Sequence, residues 1–134
     1  MTICGGGSAL TCAAMLVATK GAKYNAKSYY DPGTLNTWLK QNEGYTNGCS
    51  LVWSAVDGLG VTSFQGIQTL TEDEICTALK NNSVYGIVAH VALGAHWVLV
   101  TKCLGNAEFA VLDPQFINNT GITMKDIVQL AVYH

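Results

Sequence analysis

Three side chains in this sequence, Ser8, His96 and Asp113, are of the types that carry out nucleophilic acyl transfer. That reaction needs a nucleophile, a base beside it and a third group that orients the base. Ser8 follows a run of glycines and stands at the start of a helical pattern. Because a helix N-terminus presents free N–H groups and a partial positive charge, it favours a thiolate or an oxyanion at this position.

His96 and Asp113 lie at the ends of two neighbouring apolar stretches. A polar ring at the head of an apolar strand must find a hydrogen-bonding partner. If the two stretches pair as a hairpin about Gly105-Asn106, residues at similar distances from the turn face each other. We therefore expect His96 and Asp113 to be neighbours at one end of a sheet, as a base and its orienting carboxylate require.

Each of these residues also has an ordinary structural role. Ser8 could be only a helix N-cap, His96 a hydrogen-bonded core histidine, and Asp113 with Pro114 a turn. The three features together are more specific than each one alone. They are a glycine-rich turn that leads into a helix, a strand that begins with His and an aromatic residue, and a strand that ends in Asp-Pro. His90 would face the same side as His96 on an unbroken strand, either as a polar residue at a sheet edge or as a substrate contact.

The elements that would position these residues follow from hydrophobic periodicity and capping signals. Asp31 with Pro32, and Thr71 with Glu74, have the form of helix starts. Four helices are expected, over 8–18, from 32 to Gly44, over 49–56, and from 71 to Asn81-Asn82. Five strands are expected at 61–67, 84–91, 96–103, 107–112 and 129–133, with a short helix that starts at Thr123.

Helices that precede strands indicate an α+β fold, with the helix that carries Ser8 packed on an antiparallel sheet. The 134 residues fit a single domain, 1–134. The chain is 49% hydrophobic and only 12% charged, which favours a compact globular domain over a disordered one.

Composition excludes some partners and leaves others open. The net charge is −2 and the basic residues do not cluster, so we expect no nucleic-acid partner. No apolar run approaches the ~20 residues of a membrane span, and no signal-peptide pattern opens the chain. We therefore expect synthesis in the cytoplasm, while the oligomeric state stays open.

The five cysteines are odd in number, and no pair has CxxC spacing. We expect no structural zinc and no cofactor, because zinc ligands are usually closely paired in sequence. Cys12, Cys76 and Cys103 lie inside apolar periodic segments and are predicted to be buried free thiols in preference to disulfides. That interpretation favours a reducing compartment.

At these residues the chain resembles the papain-like cysteine peptidases of the bacteriocin-processing (double-glycine leader) type, and their relatives in phage and cell-wall lysins. The segment GSALTCAAMLV resembles the nucleophile helix of that family, and DPGTLNTWLKQNEGY resembles the second helix of its cell-wall and phage branch. The segment YGIVAHVALGAHWVLVTKCLGNAEFAVLDP is similar to the catalytic strands. The resemblance covers nearly the whole chain and is strongest over 84–114.

The resemblance implies a papain-like fold and a Cys-His-Asp triad that hydrolyses an amide bond in a peptide or in peptidoglycan. His96 would be the base and Asp113 its orienting group. It also implies a catalytic module cut from a longer protein, acting at the bacterial cell wall. The alternative is a naturally non-catalytic papain-fold module that binds a peptide or a cell-wall ligand.

The sequence departs from the family at the nucleophile. The resemblance places the cysteine seven residues before Met15, where this chain has Ser8, and Cys4 and Cys12 are each four residues out of register. A serine there indicates either an inactivated variant of the enzyme, which we favour, or a natural serine variant or binding relative. The resemblance also implies an oxyanion-hole glutamine where this chain has Thr2. The other donor candidates are the N–H groups of residues 7 and 8, and the side chains of Gln65 and Asn106.

Overall fold

The structure, a computed structural model, describes residues 7–46, 50–80, 86–91, 96–113 and 120–134. The helices within these ranges are α1 (Gly7–Thr19), α2 (Pro32–Gln41), α3 (Glu72–Lys80) and two 3₁₀ helices, Trp53–Leu59 and Met124–Asp126. The strands are β1 (Phe64–Gln68), β2 (Gly86–Val91), β3 (His96–Gly105), β4 (Glu108–Leu112), β5 (Gly121–Thr123) and β6 (Ile127–Tyr133).

The capping signals place two helix starts as predicted. At α2, Thr34 N–H donates to Asp31 Oδ1 at 2.8 Å, and Asp31 N–H donates to Thr34 Oγ1 at 2.9 Å. At α3, Thr71 N–H donates to Glu74 Oε1 at 3.0 Å, and Glu74 N–H donates to Thr71 Oγ1 at 3.2 Å. These reciprocal bonds form a capping box at each helix and satisfy N–H groups that a helix start otherwise leaves unpaired. Both helices therefore start where the sequence signals placed them.

The helix predicted over 49–56 is wrong. Val52 is extended, its N–H donates to the carbonyl of Gly44 at 2.8 Å, and a 3₁₀ helix begins only at Trp53. Backbone pairing with a segment eight residues earlier therefore overrides the helical periodicity of this segment. Residue 49 lies outside the described residues. The short strand β5 was not predicted, and all three of its residues, Gly121–Thr123, pair with β4.

All six strands form one antiparallel sheet with the order β1-β6-β2-β3-β4-β5. The α+β class and the antiparallel sheet are as predicted, and α1 packs on β3. The last strand, β6, lies inside the sheet between β1 and β2. The strand predictions at 84–91, 96–103, 107–112 and 129–133 match β2, β3, β4 and β6, although residues 84 and 85 lie outside the described residues.

The β3–β4 hairpin is confirmed, but its turn is centred one residue later than predicted. Gly105 pairs with Glu108, and Asn106 and Ala107 both have positive φ (54° and 60°), as in a type I′ turn. Two bulges then add one residue each to β3, between Val100 and Lys102 and between Cys103 and Gly105. Beyond them Leu99 faces Leu112. A regular hairpin centred on Gly105-Asn106, with no bulges, would also pair Leu99 with Leu112. The predicted register at this end of the two strands is therefore correct.

Apolar residues cover both faces of the sheet and divide the core into two layers. On one face α1 and α2 pack over the sheet, and on the other face α3 does so. The first core contains Leu10, Val17, Leu35, Leu39, Val88, Leu99 and Tyr133. The second contains Ile75, Leu79, Ile87, Val98, Phe109, Val111 and Leu130. None of the helices in the described ranges is both long and apolar enough to cross a membrane.

The cysteine prediction holds for Cys12 and is wrong for the other two. Cys12 is a buried free thiol, whereas Cys76 of α3 and Cys103 of β3 form a disulfide with Cα atoms 5.4 Å apart. Periodicity identifies a buried face but not the element that packs against it. The packing of α3 over β3 brings these two thiols together, and cysteines that form a disulfide do not favour a reducing compartment.

Candidate active site

His96 is the first residue of β3 and Asp113 directly follows the last residue of β4. Because the two strands are antiparallel, both residues lie at the same end of the pair. Continuing the register past Leu99 and Leu112 places Asp113 opposite Val98, which makes His96 its diagonal neighbour. Their side chains meet with His96 Nε2 3.0 Å from Asp113 Oδ2, and both residues are buried. The predicted pairing of these two residues is therefore present.

The contact with Asp113 assigns roles to the two nitrogens of His96. A carboxylate accepts hydrogen bonds, so it favours the tautomer in which Nε2 carries the proton. The other nitrogen, Nδ1, then has the lone pair that can take a proton, and this atom is shielded from solvent. A histidine held in this way is suited to act as a base through Nδ1.

Ser8 contacts the strand at the residue next to His96. Ser8 is the second residue of α1, and its Oγ accepts a hydrogen bond from Trp97 N–H at 3.2 Å. The hydroxyl keeps its own proton to donate elsewhere. This contact joins α1 to β3 and is not a cap of the helix, so the structure brings position 8 to the backbone beside the His96–Asp113 pair.

Cys12 lies one turn after Ser8 and contacts the other backbone polar group of Trp97. Its Sγ donates to the carbonyl of Trp97 at 3.4 Å. Pairing between β3 and β4 ends at Leu99, so α1 serves both backbone groups of Trp97 beyond that point. Burial raises the pKa of the Cys12 thiol, and the nearby charge of Asp113 raises it further. Cys12 therefore stays protonated and is unsuited to act as the nucleophile.

The ring of Trp97 organises an aromatic cluster that sequence reasoning did not find. His90 of β2 stacks on it with ring centroids 4.6 Å apart, and Trp53 lies at 4.7 Å. Tyr133 contacts Trp53 and donates its hydroxyl to the Trp53 carbonyl at 2.6 Å. The only sign of this cluster in the sequence was Trp97, the aromatic residue directly after the candidate base His96.

His90 and His96 do not share one unbroken strand, which was the condition for their facing the same side. The two residues lie on different antiparallel strands, and His90 is the cross-strand partner of Trp97. Partners share a face of the sheet, while consecutive residues alternate, so His90 lies on the face of Trp97 and not on that of His96. His90 also sits on the interior strand β2, so it is not at a sheet edge.

The two side-chain amides considered as oxyanion donors lie away from this site. Asn106 is at the hairpin turn, at the far end of β3 from His96, about 30 Å along the strand. Gln65 is on β1, three strands from β3, and its amide donates to the Ser63 carbonyl at 3.1 Å. Thr2 lies outside the described residues. The backbone N–H groups of residues 7 and 8, at the start of α1, are the remaining candidates.

Comparison with known proteins adds no assignment, because no family model, no curated protein and no solved structure matches this chain. The roles considered for Ser8, His96 and Asp113 therefore rest on geometry and on the resemblance in sequence. In the described part of the chain, one group of side chains could share a metal ion: Glu72, Cys76 and Cys103. That group lies on α3 and the distal part of β3, away from position 8.

Proposed function

We propose that this chain is an amide-bond hydrolase of the papain-like type, with position 8 as the seat of the nucleophile. The observation that carries the proposal is the buried His96–Asp113 pair at 3.0 Å, one residue from the peptide N–H that holds the side chain of residue 8. A helix start, a base and an orienting carboxylate are the parts that nucleophilic acyl transfer needs.

In the reaction, the nucleophile attacks the carbonyl carbon of the amide and forms a covalent acyl-enzyme. His96 takes the nucleophile's proton at Nδ1 and passes it to the leaving amine, and Asp113 keeps Nε2–H oriented. Water then enters with His96 again as base and releases the acid product. The N–H groups at the start of α1 face the negative charge that develops on the carbonyl oxygen.

The form with cysteine at position 8 would be the active one. A thiol with a pKa near 8.5 is readily ionised beside a histidine and a helix start, whereas a serine hydroxyl is not. The Trp97 N–H that now donates to Ser8 Oγ would also donate to a thiolate and stabilise it. We therefore propose that Ser8 makes this chain an inactivated variant of the enzyme.

The substrate would be a peptide or the peptide part of peptidoglycan. This part of the proposal rests on the resemblance to phage and cell-wall lysins, and the small domain size fits a catalytic module of such a protein.

The second candidate is a non-catalytic papain-fold module that holds a peptide or a cell-wall ligand. The Ser8 hydroxyl favours it, because this oxygen already has a structural task as acceptor for Trp97 N–H. In this alternative the His96–Asp113 pair would stabilise the end of the sheet.

The decisive experiment compares the chain with its Ser8→Cys variant on purified peptidoglycan and on a set of peptides. We expect Ser8→Cys to release new amino groups from one of these substrates. Because a general base contributes about 10²–10⁴-fold, Ser8→Cys with His96→Ala should lose activity by that factor. Ser8→Ala, which has no nucleophile, is the matched negative control.

A Ser8→Cys variant that folds but cleaves neither substrate would contradict the hydrolase. Sedimentation with peptidoglycan then separates the remaining candidates. Retention of both the Ser8→Cys and the Ser8→Ala variants on the pellet would support the binding module.

A further inference from the structure

We propose that reduction of the Cys76–Cys103 disulfide creates a zinc site formed by Glu72, Cys76 and Cys103. The site would take one Zn²⁺ with two thiolates, one carboxylate and a water molecule. The inference is independent of the proposed hydrolase, because it uses none of the residues at position 8 or at the His96–Asp113 pair.

Helix geometry brings two of the ligands together. Glu72 and Cys76 are four residues apart on α3, so they lie on the same face of the helix. Cys103 comes from β3, against which α3 packs. The ligand atoms all lie within 4.8 Å of one another. Ligands of one tetrahedral Zn²⁺ stand about 3.3–3.8 Å apart, given bonds of 2.0–2.3 Å, so small side-chain rotations suffice.

The carboxylate of Glu72 is already oriented by the hairpin. Its Oε2 accepts a hydrogen bond from Ala107 N–H at 2.9 Å, and that residue sits in the β3–β4 turn. Such a bond outside the coordination shell fixes the direction of a metal ligand and supports its affinity. The bond leaves Oε1 available to coordinate the ion.

The surroundings provide space and favourable charge. A surface groove of about 570 Å³ borders the disulfide and is lined by Lys80, Thr101 and Lys102. The groove leaves room for a water as the fourth ligand. Lys80 and Lys102 bring two positive charges to this groove, which partly balance a ligand set with a charge of −3.

The chemistry balances with a dithiol as the reductant. Its two S–H groups give two electrons and two protons to the Cys76–Cys103 bond, which breaks into two thiols while the dithiol closes into its own disulfide. Zn²⁺ then displaces the two thiol protons. The oxidised chain has no thiolate to offer at this place, so the thiol–disulfide state decides whether the ion binds.

The test uses the full chain with Cys4 and Cys49 changed to Ser, so that they cannot compete for the metal. The protein is reduced with a water-soluble phosphine, given ZnCl₂ and separated from free ion by gel filtration. We expect about one zinc per reduced chain by elemental analysis, and none per oxidised chain. Co²⁺ should give the visible absorption of a tetrahedral thiolate site.

Substitutions separate coordination from folding. Glu72→Gln keeps an acceptor for Ala107 N–H but removes the charge, and should weaken zinc binding by at least about tenfold. The neighbouring Glu74→Gln is the matched control and should leave binding unchanged, as should Cys12→Ser. Cys76→Ser should abolish it.

Two results would overturn the proposal: a reduced chain that takes up no zinc, or equal zinc binding by Cys76→Ser. If the reduced chain loses its circular dichroism signal, zinc should restore that signal, and failure to do so also counts against the site.

Discussion

At the scale of single residues, the backbone N–H and C=O of Trp97 join α1 to the strand residue next to the candidate base. Ser8 accepts from its N–H and Cys12 donates to its carbonyl, with Asp113 close enough for its charge to act on the Cys12 thiol. The same contacts that hold α1 against the sheet thus also set the position of residue 8 beside His96.

The buried thiol of Cys12 should make the chain less stable in alkali. Burial first, and then the charge of Asp113, raise the pKa of Cys12 above its ordinary value of 9.0. Above that pH the unfolded chain loses the Cys12 proton and the folded chain keeps it, so the free energy of unfolding falls as pH rises. The slope from one such group approaches about 1.4 kcal/mol per pH unit.

Urea unfolding from pH 8 to 11 tests this expectation. Cys12→Ala should show a shallower loss of stability than the unchanged chain above about pH 9. Burial also raises the pKa of Tyr133, so part of the loss should persist in the variant at the highest pH values. Parallel curves for the two proteins would show that Cys12 ionises equally easily in both states.

At the scale of elements, α1 approaches the first residue of β2 so closely that a side chain there would collide. A Cβ atom on Gly86 would meet the side chain of Leu16, which is itself buried. The absence of a side chain at Gly86 is what lets the helix pack onto this strand.

Gly86→Ala should therefore destabilise the fold by about 1–3 kcal/mol, the usual cost of overpacking. The matched test adds Leu16→Ala, which makes space for the new methyl group. In chemical unfolding, the double variant should lose less stability than the sum of the two single variants. Strictly additive losses would mean that the two residues do not compete for space.

Sequence patterns identified most elements because their signals are local. The N-cap at Asp31 and the capping box of Thr71 with Glu74 depend on residues within one turn of the helix, and both appear in the structure as predicted. The segment before Trp53 was misassigned because its backbone pairs with Gly44, a partner that periodicity cannot reveal. The Cys76–Cys103 disulfide was missed for the same reason, since its residues are 27 apart.

At the scale of the whole molecule, the last strand completes the centre of the sheet. β6 joins β1 to β2, with Tyr133 opposite Phe64 on one side and Gly86 on the other. The two cores on either face both include side chains of β6. Stability of the whole domain should therefore depend on β6.

Substitutions at a buried and at an exposed position of β6 test this dependence. Leu130 is fully buried in the core beneath α3, whereas Val128 is 51% exposed. Leu130→Ala should cost about 2–5 kcal/mol in urea unfolding, and Val128→Ala at most about 0.5 kcal/mol. Similar losses for the two variants would contradict the placement of β6 in the sheet.

The sequence by itself determined the α+β class, the helix starts, the β3–β4 hairpin and the meeting of His96 with Asp113. These features follow from short-range spacing. Even with two bulges in the hairpin, the pairing of Leu99 with Leu112 near His96 is the predicted one. Only the tertiary structure decided that Ser8 and Cys12 bond to the backbone of Trp97, that His90 stacks on its ring and that α3 carries a cysteine onto β3. The physical reason is that side-chain periodicity specifies which face is buried, whereas packing between distant elements specifies which partner that face meets.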